Sequence, residues 1–489
     1  MKQNKAMLIE SDPHQTRIAV LENDRLTELF IERPEQRGLV GNIYKGRVNR
    51  VLPGMQAAFV DIGLERDAFL YVDDAVDPLS SYDDLMGAET PSIGQLLKPG
   101  QELIVQVLKD ALPNKGARIS TQITLPGRYL VLLPGSTHLG ISRRIEDEEE
   151  RERLSRLVED IRLDGAGLIV RTASIGHGRD ALAHDLRLLE SRWQRIRRHG
   201  HSVSAPTLIH RELDLAERVV RDYLTEEFSV LRVAGEKTFQ RIRAYLEALA
   251  PALVDRVKLD DYDSALFERF GIAAAVEEAL KPQVSLRSGG SIVINPTEAL
   301  VAIDVNTGRY VGRNNLEETV LTTNLEAVRE VVRQIRLRNL GGIIVIDLID
   351  MENPEHRQQV FDALCEELKK DRAKTKLLEI SDFGLVQLTR KRSRPSLDRQ
   401  LTRRCPYCDG TGRIRSQSTV CLELRRQVLI DRRRLRGREV LLRVHPEIAS
   451  TLQHAERAIL DELEAALDGE ILLQSDSALH QESFEILEA

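Results

Sequence analysis

Two short apolar runs, each interrupted near its end by a carboxylate, stand out in the pattern of apolar and polar positions. They are Ala299-Leu300-Val301-Ala302-Ile303-Asp304-Val305-Asn306 and Gly341-Gly342-Ile343-Ile344-Val345-Ile346-Asp347-Leu348-Ile349-Asp350. Val/Ile runs of this length predict strands buried on both faces. Between them, over 316–339, Val320, Leu321, Leu325, Val328, Val331, Val332 and Ile335 recur at helical spacing, and Gly341-Gly342 follows as a stop signal. Strand, helix, strand predicts neighbouring strands that bring Asp304 and Asp347 to one sheet edge.

The rest of the pattern divides the chain. Weak alternation over 6–10 and 17–21 predicts two strands about an Asp12-Pro13 turn. From Gly38 to 118, short strands, glycine turns and spaced aromatics predict a small OB-type barrel, with a polar insertion over 73–100. Such barrels stack bases on aromatics above a basic groove, and Tyr44, Lys45, Arg47, Phe59, Phe69 and Lys115 are the candidates. The competing reading places both phenylalanines in a core. Residues 119–207 mix strands at 129–134 and 167–173 with helices at 151–161 and 180–199. Residues 208–281 read as mostly helical, at 216–227, 238–250 and 265–280. A helix at 354–370 and a strand at 376–380 follow, and the tail from 439 reads as strand, helix (452–467) and strand.

Composition narrows the class. At 489 residues, 42% hydrophobic and 30% charged, the chain predicts a multidomain globular protein. No apolar run reaches membrane length, and Met1-Lys2-Gln3-Asn4-Lys5 lacks a signal-peptide core. Four cysteines are too few for a disulfide framework, which points to a reducing cytoplasm. The net charge of −7 does not announce nucleic acid, but 390–438 holds sixteen Lys/Arg against four Asp/Glu, enough for a basic footprint.

Candidate chemistry changes the picture at three places. A carboxylate inside an apolar run is costly without a cation or hydrogen bonds. Asp304 and Asp347 together suit Mg²⁺, which takes one or two carboxylates and keeps its waters, and Asn306 shares a strand face with Asp304. Either Asp alone reads more readily as a cap or turn former, and it is the pair with Asn306 that tips the reading to a metal site. Arg171-Thr172 at a strand end can hold a phosphate. Cys405-Pro406-Tyr407-Cys408-Asp409-Gly410-Thr411-Gly412 reads as half a zinc knuckle. No second Cys-x-x-Cys exists and Cys365 and Cys421 are single, so the economical solution is one pair from each of two chains. A redox dithiol competes with this reading. No Ser/His/Asp constellation is credible, and His177, His184 and His210 have no ligand spacing.

Three runs occur together: Asp-Val-Asn-Thr-Gly at 304–308, Gly-Gly-Ile-Ile-Val-Ile-Asp-Leu-Ile-Asp-Met at 341–351, and Cys-Pro-x-Cys-x-Gly-x-Gly at 405–412. With Ile380-Ser381-Asp382-Phe383-Gly384-Leu385-Val386-Gln387-Leu388-Thr389-Arg390-Lys391-Arg392, they make a chain that resembles the ribonuclease E/G family from about residue 7 into the tail. The resemblance implies an α/β multidomain fold. A split ribonuclease H-like domain (1–38 plus 208–280) would be interrupted by an OB-fold RNA-binding domain (39–118) and a 5′-sensor domain (119–207). A DNase I-like catalytic domain (281–399), a zinc link (400–415) and a small C-terminal domain (416–489) would follow. It implies a single-strand-specific endoribonuclease leaving a 5′-phosphate and a 3′-hydroxyl, acting in ribosomal RNA 5′-end maturation and messenger RNA decay. Asp304 and Asp347 would hold Mg²⁺, supported by Asn306. Arg171, Thr172 and Val131 would bind a 5′-monophosphate; Phe59, Phe69, Lys115 and Lys109 would contact RNA; and Cys405 and Cys408 would share Zn²⁺ across a homodimer or higher oligomer. The loop at Leu112-Pro113 departs from the family pattern, lacking a basic residue before the lysine. Two other readings stand beside this: a non-catalytic RNA-binding scaffold with structural zinc, and a phosphodiesterase acting on DNA or small esters.

Overall fold

The computed structural model describes residues 4–75, 92–111, 115–163, 165–260, 266–307, 316–381, 384–392 and 394–488. Leu112-Pro113, Gly308, Asp382-Phe383 and most of the 73–100 insertion lie outside them. The chain forms two compact units, Met1–Leu397 and Asp398–Ala489.

The first unit opens with three strands rather than two: β1 (Lys5–Ser11), β2 (Thr16–Glu22) and β3 (Arg25–Glu32). The turn that adds β3 is Asn23-Asp24, both at positive φ (50° and 60°), a two-residue hairpin connection that Asn and Asp tolerate. β4 (Ile43–Leu52), β5 (Ala57–Asp61), β6 (Ala68–Tyr71), β7 (Glu102–Lys109) and β8 (Arg118–Ser120) run in the order β4-β5-β6-β8-β7. β7 also pairs with β4, which closes the barrel and removes its edges. Ala58, Val60, Ala68, Leu70, Val105 and Ile119 fill its interior. β9 (Leu125–Pro126), β10 (Leu130–Pro134), β11 (Leu139–Ile141) and β12 (Ala166–Val170) make a second small sheet, covered by α1 (Glu148–Ile161) and α2 (Arg179–Ser202) over a shared core. Asp147 caps α1 and three glutamates fill its first turn, which suits the helix dipole.

The chain then returns. β13 (Thr207–His210) pairs with β4 of the barrel. After α3 (Leu215–Tyr223), β14 (Phe228–Ala234) inserts parallel to β1; α4 (Glu236–Leu249) and β15 (Val257–Asp260) complete a sheet ordered β15-β14-β1-β2-β3. The helices expected over 208–281 are present, at Leu215–Tyr223, Glu236–Leu249, Leu266–Arg269 and Ile272–Leu280, but the strands between them were missed. Phe228, Leu231 and Val233 are packed into the first sheet's core, and five to seven residues between two strong helical patterns leave little periodicity to read.

The third sheet carries the two apolar runs. Its order is β16-β17-β18-β19-β21-β20, from β16 (Gln283–Ser285), β17 (Ser291–Pro296), β18 (Leu300–Asn306), β19 (Gly342–Asp347), β20 (Thr375–Leu377) and β21 (Leu385–Arg390). The strands are not buried on both faces. Val301, Ile303, Val305, Ile344, Ile346 and Leu348 pack against α5 (Leu316–Leu337) and α6 (Pro354–Leu368). The opposite face is open enough to leave Ile343 50% exposed. The stop of α5 is Asn339 at φ 49°, with Leu340 N–H returning to the Ile335 carbonyl, a left-handed C-terminal cap two residues before the expected glycines.

The other side of α5 packs on β3 through a charge network. Arg336 Nη2 donates to Glu22 Oε1 at 2.7 Å and Glu28 Oε1 at 3.1 Å, and Arg25 Nη2 donates to Glu330 Oε2 at 2.8 Å. Arg333 donates to Glu330 and to the Leu26 carbonyl. Burial would raise the Glu22 and Glu330 carboxyls, but the neighbouring guanidiniums hold both below the usual range.

The second unit is a three-stranded sheet, β23-β22-β24, from β22 (Val440–Val444), β23 (Ile471–Ser475) and β24 (Phe484–Glu488). One face is covered by α7 (Gln417–Ile430), α8 (Pro446–Gln453) and α9 (Arg457–Leu467). The single tail helix expected over 452–467 is two helices, and the final strand is a pair. Among the described residues no helix is long and apolar enough to cross a membrane.

Candidate functional site

β18 and β19 are parallel neighbours, and Asp304 is the register partner of Asp347. Adjacent strands lie about 4.8 Å apart, so the backbone alone brings the two carboxylates side by side at the ends of their strands. Both are exposed on the open face, and among the described residues neither makes an ion pair with Lys, Arg or His. Asn306 Nδ2 donates to Asp304 Oδ2 at 2.6 Å, which orients the carboxylate. Beyond Asp347, Asn324 of α5, fully buried, donates to the Ile349 carbonyl at 2.8 Å and accepts from Ile349 N–H at 3.1 Å. This two-way bond fixes the backbone where β19 ends. Asn324 is on no motif, and only its polarity on a helix face that is otherwise apolar marks it in the sequence.

Two neighbouring carboxylates without a counter-charge favour a cation between them. Among the described residues no group of three or more His, Cys, Asp and Glu is assembled for a metal. Two carboxylate ligands fit Mg²⁺, which retains several waters, better than a metal that needs a full protein cage.

Phe59 and Tyr71 are half-buried at the barrel surface, and Phe69 between them is buried at 5% exposure, as the core reading expected for it. Phe59 on β5 is the register partner of Phe69 on β6, their rings meeting edge to face at 5.4 Å, and Tyr71 follows Phe69 at 4.4 Å. Lys115 Nζ stands 5.4 Å from the Phe69 ring centre, and Arg50 and Arg118 stand 5.3 and 4.9 Å from Phe59 and Tyr71. Lys109 is exposed opposite Arg118 across the β7–β8 pair. Ring faces flanked by cations form a stacking strip suited to bases and phosphates. The sequence reading missed Tyr71, Arg50 and Arg118. It also misplaced three candidates. Tyr44 lies in the barrel core, while Lys45 and Arg47 are tied to Glu102 and to the carbonyls of Val203 and Ala205.

Arg171 follows β12, and Val131 lies on the adjacent β10. Thr172 Oγ1 and Ser142 Oγ share a hydrogen bond at 3.2 Å. The Arg171 guanidinium donates to the Gly127 carbonyl and, at 2.7 Å, to Asp222 Oδ1. The Asp222 carboxyl sits below its usual range, since Arg221 and Arg171 outweigh its burial. The loop bearing Gly127 is pinned by Asp185, fully desolvated on α2, which accepts from the N–H groups of Arg128, Tyr129 and Leu130 at 3.1, 2.7 and 2.9 Å. A Cβ at position 127 would stand 2.5 Å from an Asp185 oxygen, so only glycine fits. Arg171, Thr172 and Val131 are thus gathered at one corner, around a guanidinium already oriented by two acceptors.

In the second unit, Cys405 is exposed and Cys408 half-buried. Cys408 Sγ accepts from Gly412 N–H at 3.3 Å; this N–H and that of Gly410 pull its thiol below the usual range, towards the thiolate a metal needs. Positive φ at Asp409, Gly410 and Gly412 turns these N–H groups inward. Cys421 is fully buried in the helix–sheet core and its thiol is pushed up to about 11, which removes it as a ligand. The basic footprint expected over 390–438 is partly structural. Arg390 is buried against Asp371, Arg392 donates to the Gly341 carbonyl, and Arg394 lies over the Phe30 ring at 3.8 Å.

Residues 124–393 match the profile of the Ribonuclease E/G family, and residues 404–489 match that of the RNase E/G, Thioredoxin-like domain. The chain is 39% identical over 484 residues to Ribonuclease G of Haemophilus influenzae, covering 98% of this chain and 99% of that protein. It is 40% identical over 486 residues to Ribonuclease G of Escherichia coli, with the same coverage. Ribonuclease E of Haemophilus influenzae is 38% identical over 484 residues, 99% of this chain and 52% of that longer protein. With profile matches over both units and these full-length likenesses, the chain belongs to the ribonuclease E/G family.

Proposed function

We propose that this endoribonuclease hydrolyses single-stranded RNA at Asp304 and Asp347 with Mg²⁺, leaving a 5′-phosphate and a 3′-hydroxyl. The observation that carries the reading is the register pairing of two exposed carboxylates on parallel strands, neither of which is ion-paired among the described residues. When bound, Mg²⁺ supplies positive charge at the scissile phosphate and lowers the pKa of a coordinated water. Asp304 and Asp347 hold the site, and Asn306 keeps the Asp304 carboxylate in one orientation. In the reaction a water oxygen bonds to phosphorus, the bond from phosphorus to O3′ breaks, and the leaving oxygen takes a proton. The stacking strip of Phe59, Phe69 and Lys115, with Lys109 beside it, holds the strand. Arg171, Thr172 and Val131 receive a 5′-monophosphate, which stimulates cleavage. The substrates are precursor ribosomal RNA, matured at its 5′ end, and messenger RNA entering decay, in the cytoplasm. Cys405 and Cys408 of two protomers supply four thiolates to one Zn²⁺, which makes the protein a homodimer or higher oligomer.

The sheets fit the family architecture: β15-β14-β1-β2-β3 for the split ribonuclease H-like domain (1–38 plus 208–280), the barrel for the OB fold (39–118) and β9–β12 for the sensor (119–207). β16–β21 fit the DNase I-like core (281–399), followed by the zinc link (400–415) and the small C-terminal domain (416–489).

The test is cleavage of a short A/U-rich RNA across a Mg²⁺ titration, with 5′-monophosphate and 5′-hydroxyl forms side by side. Asp304→Asn and Asp347→Asn are expected to abolish Mg²⁺-dependent cleavage while RNA affinity stays within about twofold. Loss of binding as large as the loss of cleavage would remove the catalytic role from this pair.

A further inference from the structure

We propose that the small C-terminal domain is the scaffold of the zinc half-site, with His480 as the positioning residue that holds the Cys405–Cys408 loop in its metal-ready shape. This deepens the zinc reading above and rests on it.

The contacts close on the residue between the two cysteines. His480, in the segment joining β23 to β24, places its ring 4.1 Å from the Tyr407 ring, tilted by 38°. Its Nε2 lies 2.6 Å from the Tyr407 carbonyl oxygen. Its Nδ1 accepts from Glu482 N–H at 3.1 Å. A nitrogen that accepts from a backbone N–H carries no proton, so neutral His480 holds its proton on Nε2 and donates it to Tyr407. Gln481 N–H donates to Tyr407 Oη at 3.2 Å, and the Glu482 carboxylate accepts from Arg415 N–H. The segment 480–482 therefore grips the cysteine loop at its middle and again just past its end. β24 in turn is hydrogen-bonded along β22, so the grip is anchored in the sheet.

The consequence follows from the ligand count. A Cys-x-x-Cys loop offers two of the four ligands that structural zinc requires. Each protomer must order its own loop before the shared site closes, and a loop already held in shape loses less entropy on binding. Because two copies contribute, the effect of one clasp counts twice. His480 touches neither sulfur and acts through the Tyr407 backbone, as groups outside the ligand set orient the ligands themselves.

The experiment uses the full-length protein loaded with zinc. Zinc per chain is measured by elemental analysis, zinc affinity by competition with a chromophoric chelator, and assembly by sedimentation. His480→Ala is expected to lower zinc affinity about 10- to 100-fold and to shift assembly towards monomer, with the far-UV dichroism and thermal midpoint of the protein unchanged. His480→Gln, whose amide nitrogen can donate to the Tyr407 carbonyl, is expected to recover most of that loss. Tyr407→Phe, which keeps the carbonyl and the stack, is expected to change affinity less than threefold. Zinc affinity unchanged in His480→Ala, or no recovery in His480→Gln, would overturn the positioning role while leaving zinc in place. A wild type that carries no zinc would overturn the zinc reading and this proposal with it.

Discussion

At the scale of single residues, the strongest assignments are those in which one side chain has one geometric task. Arg171 is oriented by Gly127 and Asp222 before any ligand arrives. Because Arg221 also holds Asp222, a phosphate can draw Arg171 away without leaving a bare buried carboxylate. Arg171→Gln is therefore expected to remove the rate advantage of 5′-monophosphorylated RNA and leave the 5′-hydroxyl rate within about twofold, measured by parallel single-turnover assays. Phe59→Ala is expected to weaken RNA binding by about 1–3 kcal/mol, the usual worth of one base–aromatic stack, as read by fluorescence anisotropy. The residues legible in the sequence were those whose type conflicts with their surroundings, such as Asp304 and Asp347 in apolar runs, or Cys405 and Cys408 among arginines. Tyr71, Arg50, Arg118 and Asp222 were not legible, because their roles arise from cross-strand neighbours that spacing along the chain does not encode.

At the scale of elements, α5 serves two sheets at once. Its apolar stripe covers β18 and β19, which the periodicity announced, and its buried polar side meets β3, which the periodicity did not. Within it Asn324 is the one group bonded to the end of β19. Asn324→Ala leaves both the N–H and the carbonyl of Ile349 without partners and is expected to cost about 1–3 kcal/mol in stability. Chemical denaturation checks that cost, and kcat is expected to fall more than KM changes, since the loop after Asp347 loses its tie. Strands were harder to read than helices. β14 sits mid-sheet, and its brief apolar run is overshadowed by the helices on either side. Of the third sheet, β18, β19 and β20 were found and β16, β17 and β21 were not, and an open face was read as buried because Ala302 and Val345 are apolar though partly exposed.

At the scale of the whole molecule, the network of Arg336, Glu22 and Glu28 ties the first sheet to the third. Glu22 is held below its usual pKa in the folded protein, chiefly by Arg336 acting against burial. A depressed carboxyl adds stability that is complete above the unfolded value, near 4.5, and is lost as pH falls through the folded value. The wild type is thus expected to lose thermal stability below about pH 4.5, and Glu22→Gln to be less stable than wild type at pH 7 by about 1–3 kcal/mol, with the gap closing towards pH 3. Thermal midpoints across a pH series decide this; a gap that stays constant with pH would show that the carboxylate charge contributes nothing.

The same network spans 314 residues of chain between Arg336 and Glu22. A ribosome adding roughly 5–20 residues per second needs about 15–60 s to go from one to the other. During that interval the first three strands are already outside the ribosome and Glu22 and Glu28 wait for Arg336, while β14 and then β15 arrive and complete the sheet. The N-terminal sheet therefore gains its last strand at Asp260, but its helix-borne counter-charge only at Arg336, after β18 and before β19. A chain truncated by premature termination before α5 would carry the barrel and β18 but lack β19, and with it Asp347. On the function proposed above, such a fragment is expected to bind RNA without cleaving it.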